Sequence, residues 1–526
     1  MWQNLPLGTS DFKALRQTQQ LYVDKTELVY RLASVPSGKY FLIRPRRFGK
    51  SLLVSTFESL FKFGLEDFQG LAIEKSWTDK TYDVVRLDFS EVKEFATIEE
   101  FKEKFYKRTA SKLNSAGFPK LEKGDDFVTQ FSLWLSSLRR RSFVLLVDEY
   151  DAPLTACLDK KELFDRVRAV MSEFFLSIKS NEGCLRFFFM TGITKLSQTS
   201  FFSAFNSLED ISMISMYGTL LGYTEAEIKR YFADYLDNAA KILQISEKGV
   251  LDELRRHYDG FSFDAKAGSH VYCPWSVLNF LKHPEMGFRN YWYTSGGQPT
   301  VLMKFLANNA LSDPKAYAES MEVRLSDLDA ARQYGEMSLE VLLTQAGYFT
   351  IKQVTDDGYL ILGYPNQEVA LSMAQLYADE LLRGQRIRKP GSPSLNEIVE
   401  TGSLDSVVEQ FNSALGAIDY QRYPITDETS CRAYLQVLLI GAAMMPKVES
   451  HSALGRSDLE VYAGSRLWVF EIKYAKNKSD IKPLLHKAKE QMRSHRYGLT
   501  EQHREVLRAA LVFDQDERRF VAWEAV

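Results

Sequence analysis

The apolar run Phe41-Leu42-Ile43 turns into Arg44-Pro45-Arg46-Arg47-Phe48-Gly49-Lys50-Ser51, and Leu52-Leu53-Val54-Ser55-Thr56-Phe57 then reads as the start of a helix. Few folds run a buried strand through an Arg-rich turn into Gly-Lys-Ser and a helix. The layout is that of a phosphate-binding P-loop, in which backbone N–H groups and a helix N-terminus receive phosphate oxygens. Lys50 is expected to reach the terminal phosphates and Ser51 to hold Mg²⁺, with Arg46, Arg47 and Gly49 lining the cradle. The pattern calls for Gly at position 44, where this chain has Arg. That departure predicts a tighter or altered cradle, suited to binding more than to fast hydrolysis.

About a hundred residues on, Phe143-Val144-Leu145-Leu146-Val147 ends in Asp148-Glu149-Tyr150-Asp151. A continuous apolar run is the mark of a buried parallel strand, and ligands bind at the C-terminal edge of such sheets. Asp148 is expected to hold Mg²⁺ and Glu149 to polarise the attacking water of an ATP-hydrolysing site. Val84 to Ser90 reads as another strand, and Leu185-Arg186-Phe187-Phe188-Phe189-Met190 as a further one. The latter ends in Thr191-Gly192, which makes Thr191 a candidate γ-phosphate sensor. Helices are expected at about 97–115 and 125–139.

At 526 residues the chain exceeds one core, and 45% hydrophobic content supplies several. A net charge of −3 leaves any nucleic-acid contact to local basic patches such as Arg46/Arg47, Arg139/Arg140 and Arg386/Arg388. Cys157, Cys184, Cys273 and Cys431 lie too far apart for metal spacing and read as reduced structural thiols. Met1-Trp2-Gln3-Asn4-Leu5-Pro6 carries no export signal, and no apolar run approaches the ~18 residues of a membrane span. A cytoplasmic protein without membrane contact is expected.

From 223 to 380 the pattern is mostly helical. Thr224-Glu225-Ala226-Glu227 is a capping-box start, and Tyr272-Cys273-Pro274-Trp275-Ser276 turns into another helix. Gly296-Gly297-Gln298-Pro299 could bring backbone N–H groups near a nucleotide. Gly347 to Ile351 and Tyr359 to Tyr364, joined by Asp356-Asp357-Gly358, predict a hairpin and a winged-helix-like module. Arg386 to Ser394, with Pro390-Gly391-Ser392-Pro393 at its centre, marks a linker. The expected domains are 1–222, an α/β P-loop domain with a parallel sheet and helices; 223–388, a helical and winged-helix-like middle; and 395–526, an αβ domain.

The last domain opens with helices at about 396–416 and 428–444, then the strand Lys447-Val448-Glu449. Gly455 to Tyr474 reads as a hairpin turning at Gly464-Ser465. Counting outward pairs Ala463 with Arg466 and Asp458 with Glu471. One face then carries Asp458, Glu471 and Lys473, and the other Leu459, Val461, Trp468, Phe470 and Ile472. Opposed carboxylates repel unless a cation sits between them, and a hard divalent ion fits oxygen ligands. A helix at about 480–497 and the strand Ala509 to Phe513 follow.

This order, with Asp458 and the Glu471-Ile472-Lys473 element, resembles the PD-(D/E)XK nuclease superfamily. The resemblance implies Asp458 and Glu471 as metal ligands, Lys473 as the catalytic lysine, Glu449 as a further acid and Gln491 as a secondary site residue. Tyr22-Val23-Asp24-Lys25-Thr26, Arg44 to Ser51, Val147 to Pro153, Thr191-Gly192-Ile193, Pro274 to Leu278, Gly347-Tyr348 and Pro365-Asn366-Gln367-Glu368-Val369 extend the likeness over nearly the whole chain. Together they resemble a bacterial family that joins an AAA-ATPase-like domain to a C-terminal PD-(D/E)XK domain. The P-loop of that family commonly lacks its first Gly.

The resemblance implies an ATP-binding and ATP-hydrolysing protein coupled to a Mg²⁺- or Mn²⁺-dependent nuclease. Its substrate would be nucleic acid, DNA before RNA, with a possible homo-oligomer and a role in phage defence by analogy. The alternative is an ATP-driven signalling or oligomerisation switch whose C-terminal domain binds nucleic acid or a partner without cleavage. Arg186 and Arg230 are candidate arginine fingers.

Overall fold

The computed structural model describes residues 2–122, 124–195, 207–292, 321–329, 338–373, 395–418, 420, 424–442, 444, 446–452, 455–495 and 505–526. They fall into two compact units, one ending at Val369 and one from Ala370 to Val526. The Gly296 to Pro299 turn and Arg386, Arg388 and the linker lie outside the described residues.

The first unit is built on a parallel sheet of β1 (Gly38–Ile43), β2 (Asp83–Asp88), β3 (Phe143–Asp148), β4 (Leu185–Gly192) and β5 (Glu209–Asp210). The strand order is β2-β3-β4-β1-β5, so β4 stands between the loop strand and the acid-ended strand. Every residue of β3 and β4 is buried, as their unbroken apolar runs require. Helices cover the sheet. On α1 (Lys50–Phe63), Phe57 and Phe61 pack their rings 4.8–4.9 Å from those of Phe187 and Phe189. A second aromatic core gathers Phe105 of α2 (Ile98–Leu113), Phe131 of α3 (Phe127–Ser137) and Phe174 of α4 (Lys161–Ser180). Each such ring contributes about 1.5–3 kcal/mol by leaving water. Thr97 and Asp126 cap α2 and α3 through their side-chain oxygens, which starts both helices one or two residues inside the expected limits.

Four helices follow: α5 (Glu225–Tyr231), α6 (Ala233–Leu243), α7 (Glu247–Tyr258) and α8 (Pro274–Lys282). Thr224 and Glu227 close the expected capping box on α5, and Pro274 sits in the first turn of α8, where its missing N–H costs nothing. These helices share a core with Leu21 and Val23 from the N-terminal segment. Helix α9 (Leu339–Ala346) then leads into the hairpin β7 (Thr350–Val354) and β8 (Tyr359–Gly363). Its turn closes by a bond from Gly358 N–H to Thr355 O, with Gly358 at φ +84°. A further strand, β6 (Met321–Arg324), pairs with β8; it is too short and polar to stand out in the sequence.

The second unit holds a sheet of β9 (Lys447–Ser452), β10 (Gly455–Ala463), β11 (Arg466–Ala475), β12 (Glu505–Asp514) and β13 (Arg519–Ala525), in the order β13-β12-β11-β10-β9. The β10–β11 register runs from Ala463↔Arg466 to Leu459↔Phe470, the pairing that the two-residue loop predicts. Only β11 and β12 pair in parallel. On one face Ala488 and Met492 of a helix at Ile481–His495 cover Leu467, Val469 and Ala510. On the other, Phe411 meets Phe470 at 5.7 Å, and the Trp468 indole N–H donates to Val399 O at 2.7 Å. The single helix expected at 396–416 is two, α10 (Leu395–Thr401) and α11 (Leu404–Gly416), because Ser403 caps the second through Ser406 N–H. They are followed by α12 (Glu428–Gly441), and the helix over β11 is α13 (Ile481–His495). Strand β13, paired antiparallel to β12, completes the edge.

Candidate functional site

In the first unit a cleft of about 590 Å³ opens over the C-terminal edge of the sheet. Arg46, Arg47, Gly49, Lys50, Ser51 and Glu149 line it, together with Tyr22, Leu221, Tyr223, Trp275 and Leu278. Two left-handed residues shape the loop, Arg47 at φ +69° and Gly49 at φ +91°. Alternation of this kind turns successive N–H groups to one side as an anion nest. The Lys50 ammonium folds back on its own loop and donates to Arg44 O at 2.9 Å and Pro45 O at 3.0 Å. Burial pulls its pKa down, against the opposing pull of Glu149, Asp148 and Asp151. The Arg47 guanidinium lies 4.3 Å from the centre of the Trp275 ring.

Arg44 does not shape the cradle with its side chain. The guanidinium is buried and donates to Ile43 O, Ser212 O and Tyr217 O at 2.8–3.0 Å, tying the end of β1 to the segment after β5.

Asp148 and Thr191 end neighbouring strands and are almost fully buried. Asp148 Oδ1 and Thr191 Oγ1 have no hydrogen-bond partner, while Asp148 Oδ2 accepts from Arg86 of β2 at 3.1 Å. Buried orphan oxygens of this kind fit a hydrated cation and a phosphate between them. Glu149 has φ +49°, a strained conformation for a non-glycine residue that aims its side chain into the cleft. Burial first, against the Lys50 charge, raises its pKa.

The next acid, Asp151, was missed as a site residue. Its carboxylate accepts from Ile193 N–H, Thr194 N–H and the Thr194 hydroxyl at 2.8–3.2 Å, and Tyr150 N–H donates to Thr191 O. Asp151 thus fixes the end of β4 beside Thr191. Arg86 and Asp88, whose register partner is Asp148, were also missed, as was Lys93, an exposed residue on the cleft wall. Arg186 is engaged internally, with Asp79 at 2.7 Å and with Ala33 O and Val35 O. Arg230 is exposed on α5.

In the second unit Asp458 Oδ2 accepts the Ile472 N–H at 2.8 Å, where the β10–β11 ladder ends. Glu471 is fully buried; Lys473 Nζ donates to its Oε1 at 2.7 Å, and its Oε2 has no partner. Burial and the Asp458 charge push the Glu471 carboxyl up to about 7, against the pull of Lys473. Burial works against the Lys473 ammonium, but its bond to Glu471 outweighs this and its pKa sits above the ordinary value. The unpartnered Oε2 beside a second carboxylate suits a divalent ion. Among the described residues no group of three or more His, Cys, Asp or Glu side chains stands ready to hold a metal.

Glu449 lies on β9, across from Asp458 by the flanking pairs Ser457↔Ser450 and Leu459↔Val448. Gln491 is on α13, the helix that covers this face. Glu428, in the first turn of α12, places Oε2 3.8 Å from Lys473 Nζ. It was missed because it lies over forty positions away in a stretch that reads as an ordinary helix start.

Residues 6–202 match the family model described as a predicted AAA-ATPase, and residues 432–523 that of the PD-(D/E)XK nuclease superfamily. The chain joins an AAA-ATPase-like domain to a PD-(D/E)XK-superfamily domain. A relative described as an uncharacterized protein in the vnfD 5′ region of Azotobacter chroococcum mcd 1 is 29% identical over 499 residues, covering 89% of each chain. Both the AAA-ATPase-like and the PD-(D/E)XK regions therefore fall in the parts of the fold that carry the two constellations. No helix among the described residues is long and apolar enough to cross a membrane.

Proposed function

We propose that the AAA-ATPase-like domain binds and hydrolyses ATP with magnesium, and that the PD-(D/E)XK domain hydrolyses phosphodiester bonds of nucleic acid, DNA before RNA. The observation that carries the second half is the buried Glu471–Lys473 pair beside Asp458, with Glu471 Oε2 left open. A fully buried carboxylate without a second partner is costly and finds its use in ligand binding.

In the cleft Lys50 would release Arg44 O and Pro45 O to meet the β- and γ-phosphates, while Arg46, Arg47 and Gly49 line the cradle. Ser51 and Asp148 would hold Mg²⁺, Glu149 would orient the attacking water and Thr191 would contact the γ-phosphate. In the second domain Asp458 and Glu471, with Glu449 as a further acid, would hold Mg²⁺ or Mn²⁺. When bound, the ion supplies charge stabilisation and lowers the pKa of a water. Lys473 would orient that water and offset charge on the phosphate. Gln491 would act from α13 as a secondary site residue.

The test is incubation of the full-length protein with labelled single- and double-stranded DNA and RNA, with Mg²⁺ or Mn²⁺, with and without ATP. Lys50→Ala and Lys473→Ala are run alongside. Cleavage that needs the divalent ion and is lost in Lys473→Ala is expected. Cleavage indifferent to Lys473→Ala sinks the nuclease site, and ATP binding indifferent to Lys50→Ala sinks the nucleotide site.

A further inference from the structure

The phosphate loop is gripped from behind by residues far from it in sequence. The Trp292 indole N–H donates to Arg46 O at 3.3 Å. Trp292 is itself held by its backbone N–H, which donates to Glu368 Oε1 at 2.8 Å, while the Ser276 hydroxyl donates to Glu368 Oε2 at 2.7 Å. Trp292 and Glu368 are 2% and 1% exposed, and the two bonds to Glu368 are buried, while the bond to Arg46 O is part-buried. The Trp292 ring packs edge-on to Tyr348 at 5.1 Å. Gly347, at φ +89°, lets the backbone approach so closely that a Cβ there would stand 2.6 Å from the Pro45 ring.

Arg46 O and the Arg47 N–H belong to one planar trans unit and point in opposite directions. Fixing the carbonyl on Trp292 therefore fixes the N–H on the other side, and Arg47 lines the cleft. A peptide flipped the other way would present a carbonyl to phosphate oxygens and repel them. The left-handed Arg47 backbone is the conformation that such a nest needs and that a non-glycine residue adopts only when its surroundings hold it.

We infer that Trp292 and Glu368 are positioning residues of the nucleotide site: Glu368 holds Trp292, and Trp292 holds the 46–47 peptide with its N–H toward the phosphates. This rests on the nucleotide reading of the cleft. Ser276 brings α8 into the same arrangement, so the wall bearing Trp275 and the phosphate loop share one buried carboxyl group.

The experiment compares Trp292→Phe, Glu368→Ala and Glu368→Gln with the parent and with Lys50→Ala, all as full-length protein. Mg²⁺·ATP and Mg²⁺·ADP affinities are measured by calorimetry, and hydrogen exchange is followed across residues 44–51. Trp292→Phe keeps the ring and removes the donor. It should weaken both nucleotides about five- to tenfold, the worth of one hydrogen bond, and reduce nucleotide-induced protection of the loop. Glu368→Ala should do the same, and Glu368→Gln, which can still accept from Trp292 N–H, should restore affinity and protection. A Trp292→Phe protein that binds ATP and protects its loop like the parent overturns the inference. So does a Glu368→Gln protein as defective as Glu368→Ala, since the acceptor and not the fold is what the inference needs. A parent protein that binds no ATP, or a Lys50→Ala protein that binds as the parent does, overturns the nucleotide reading itself, and this inference with it.

Discussion

Lys473 Nζ lies 2.7 Å from Glu471 Oε1, two residues away on the same face of a strand buried on both sides. Removing one member of a buried ion pair leaves the other uncompensated, at a cost of about 3–5 kcal/mol. Lys473→Ala should therefore destabilise the metal-free second unit by that order and abolish cleavage. The double variant Lys473→Ala/Glu471→Gln should recover much of the lost stability and none of the activity. Urea unfolding of the parent, Lys473→Ala, Glu471→Gln and the double variant closes the cycle. Equal stability of Lys473→Ala and the parent would show that the pair is not compensated as the geometry implies.

A divalent ion should supply the second partner that Glu471 Oε2 lacks. Millimolar Mg²⁺ or Mn²⁺ should raise the melting temperature of the second unit, because a ligand that binds only the folded state stabilises it by mass action. Asp458→Asn and Glu471→Gln should each remove most of that rise. Scanning calorimetry with and without EDTA reads it; an undiminished rise in both variants would place the ion elsewhere.

Asp151 is 1% exposed and accepts three hydrogen bonds from the two residues after Gly192. Asp151→Ala strands those donors, each worth about 1–3 kcal/mol when left unmade. A loss of roughly 3–5 kcal/mol in unfolding of the first unit is expected, along with slower ATP turnover because the Thr191 strand end is released. Asp151→Asn keeps one acceptor oxygen and should fall between. Chemical denaturation with a coupled phosphate-release assay tests both. An Asp151→Ala protein with parental stability would mean that other contacts hold the strand end.

The parts of both sites that could be read in the chain are those carried by neighbours in sequence. Gly49-Lys50-Ser51 and the run into Asp148 are contiguous, and burial on both faces forces parallel strands to advertise themselves as apolar runs. The Asp458–Glu471 juxtaposition was legible because a two-residue loop fixes a register by counting. Trp292 and Arg46 lie 246 positions apart, and no local pattern announces an indole N–H aimed at a loop carbonyl. Arg44 shows the opposite limit: its type was visible, but whether its guanidinium faced the cradle or the interior depended on the Ser212 and Tyr217 carbonyls. Glu428 is hidden likewise, since an acid in a helix's first turn is favoured by the helix dipole alone.

Burial raises the Glu368 carboxyl from 4.5 to about 8, against the bonds it accepts from Ser276 and Trp292. The unfolded chain loses this proton near 4.5 and the folded protein near 8, so between those values the folded state holds a proton that the unfolded state has given up. Stability from this group is then full below about 4.5 and declines as pH rises towards 8, by at most ~1.4 kcal/mol per pH unit. Cys273 is pushed up to about 12 and Tyr258 and Tyr291 are raised, each chiefly by burial, so these neighbours stay neutral throughout the window. Glu368→Gln removes the proton and leaves an acceptor for Trp292 N–H. Urea unfolding of the first unit at pH 6, 7 and 8 should therefore show the variant gaining on the parent as pH rises, with the gain levelling off above 8. A difference that stays flat across the three pH values would mean that Glu368 is ionised in the folded protein.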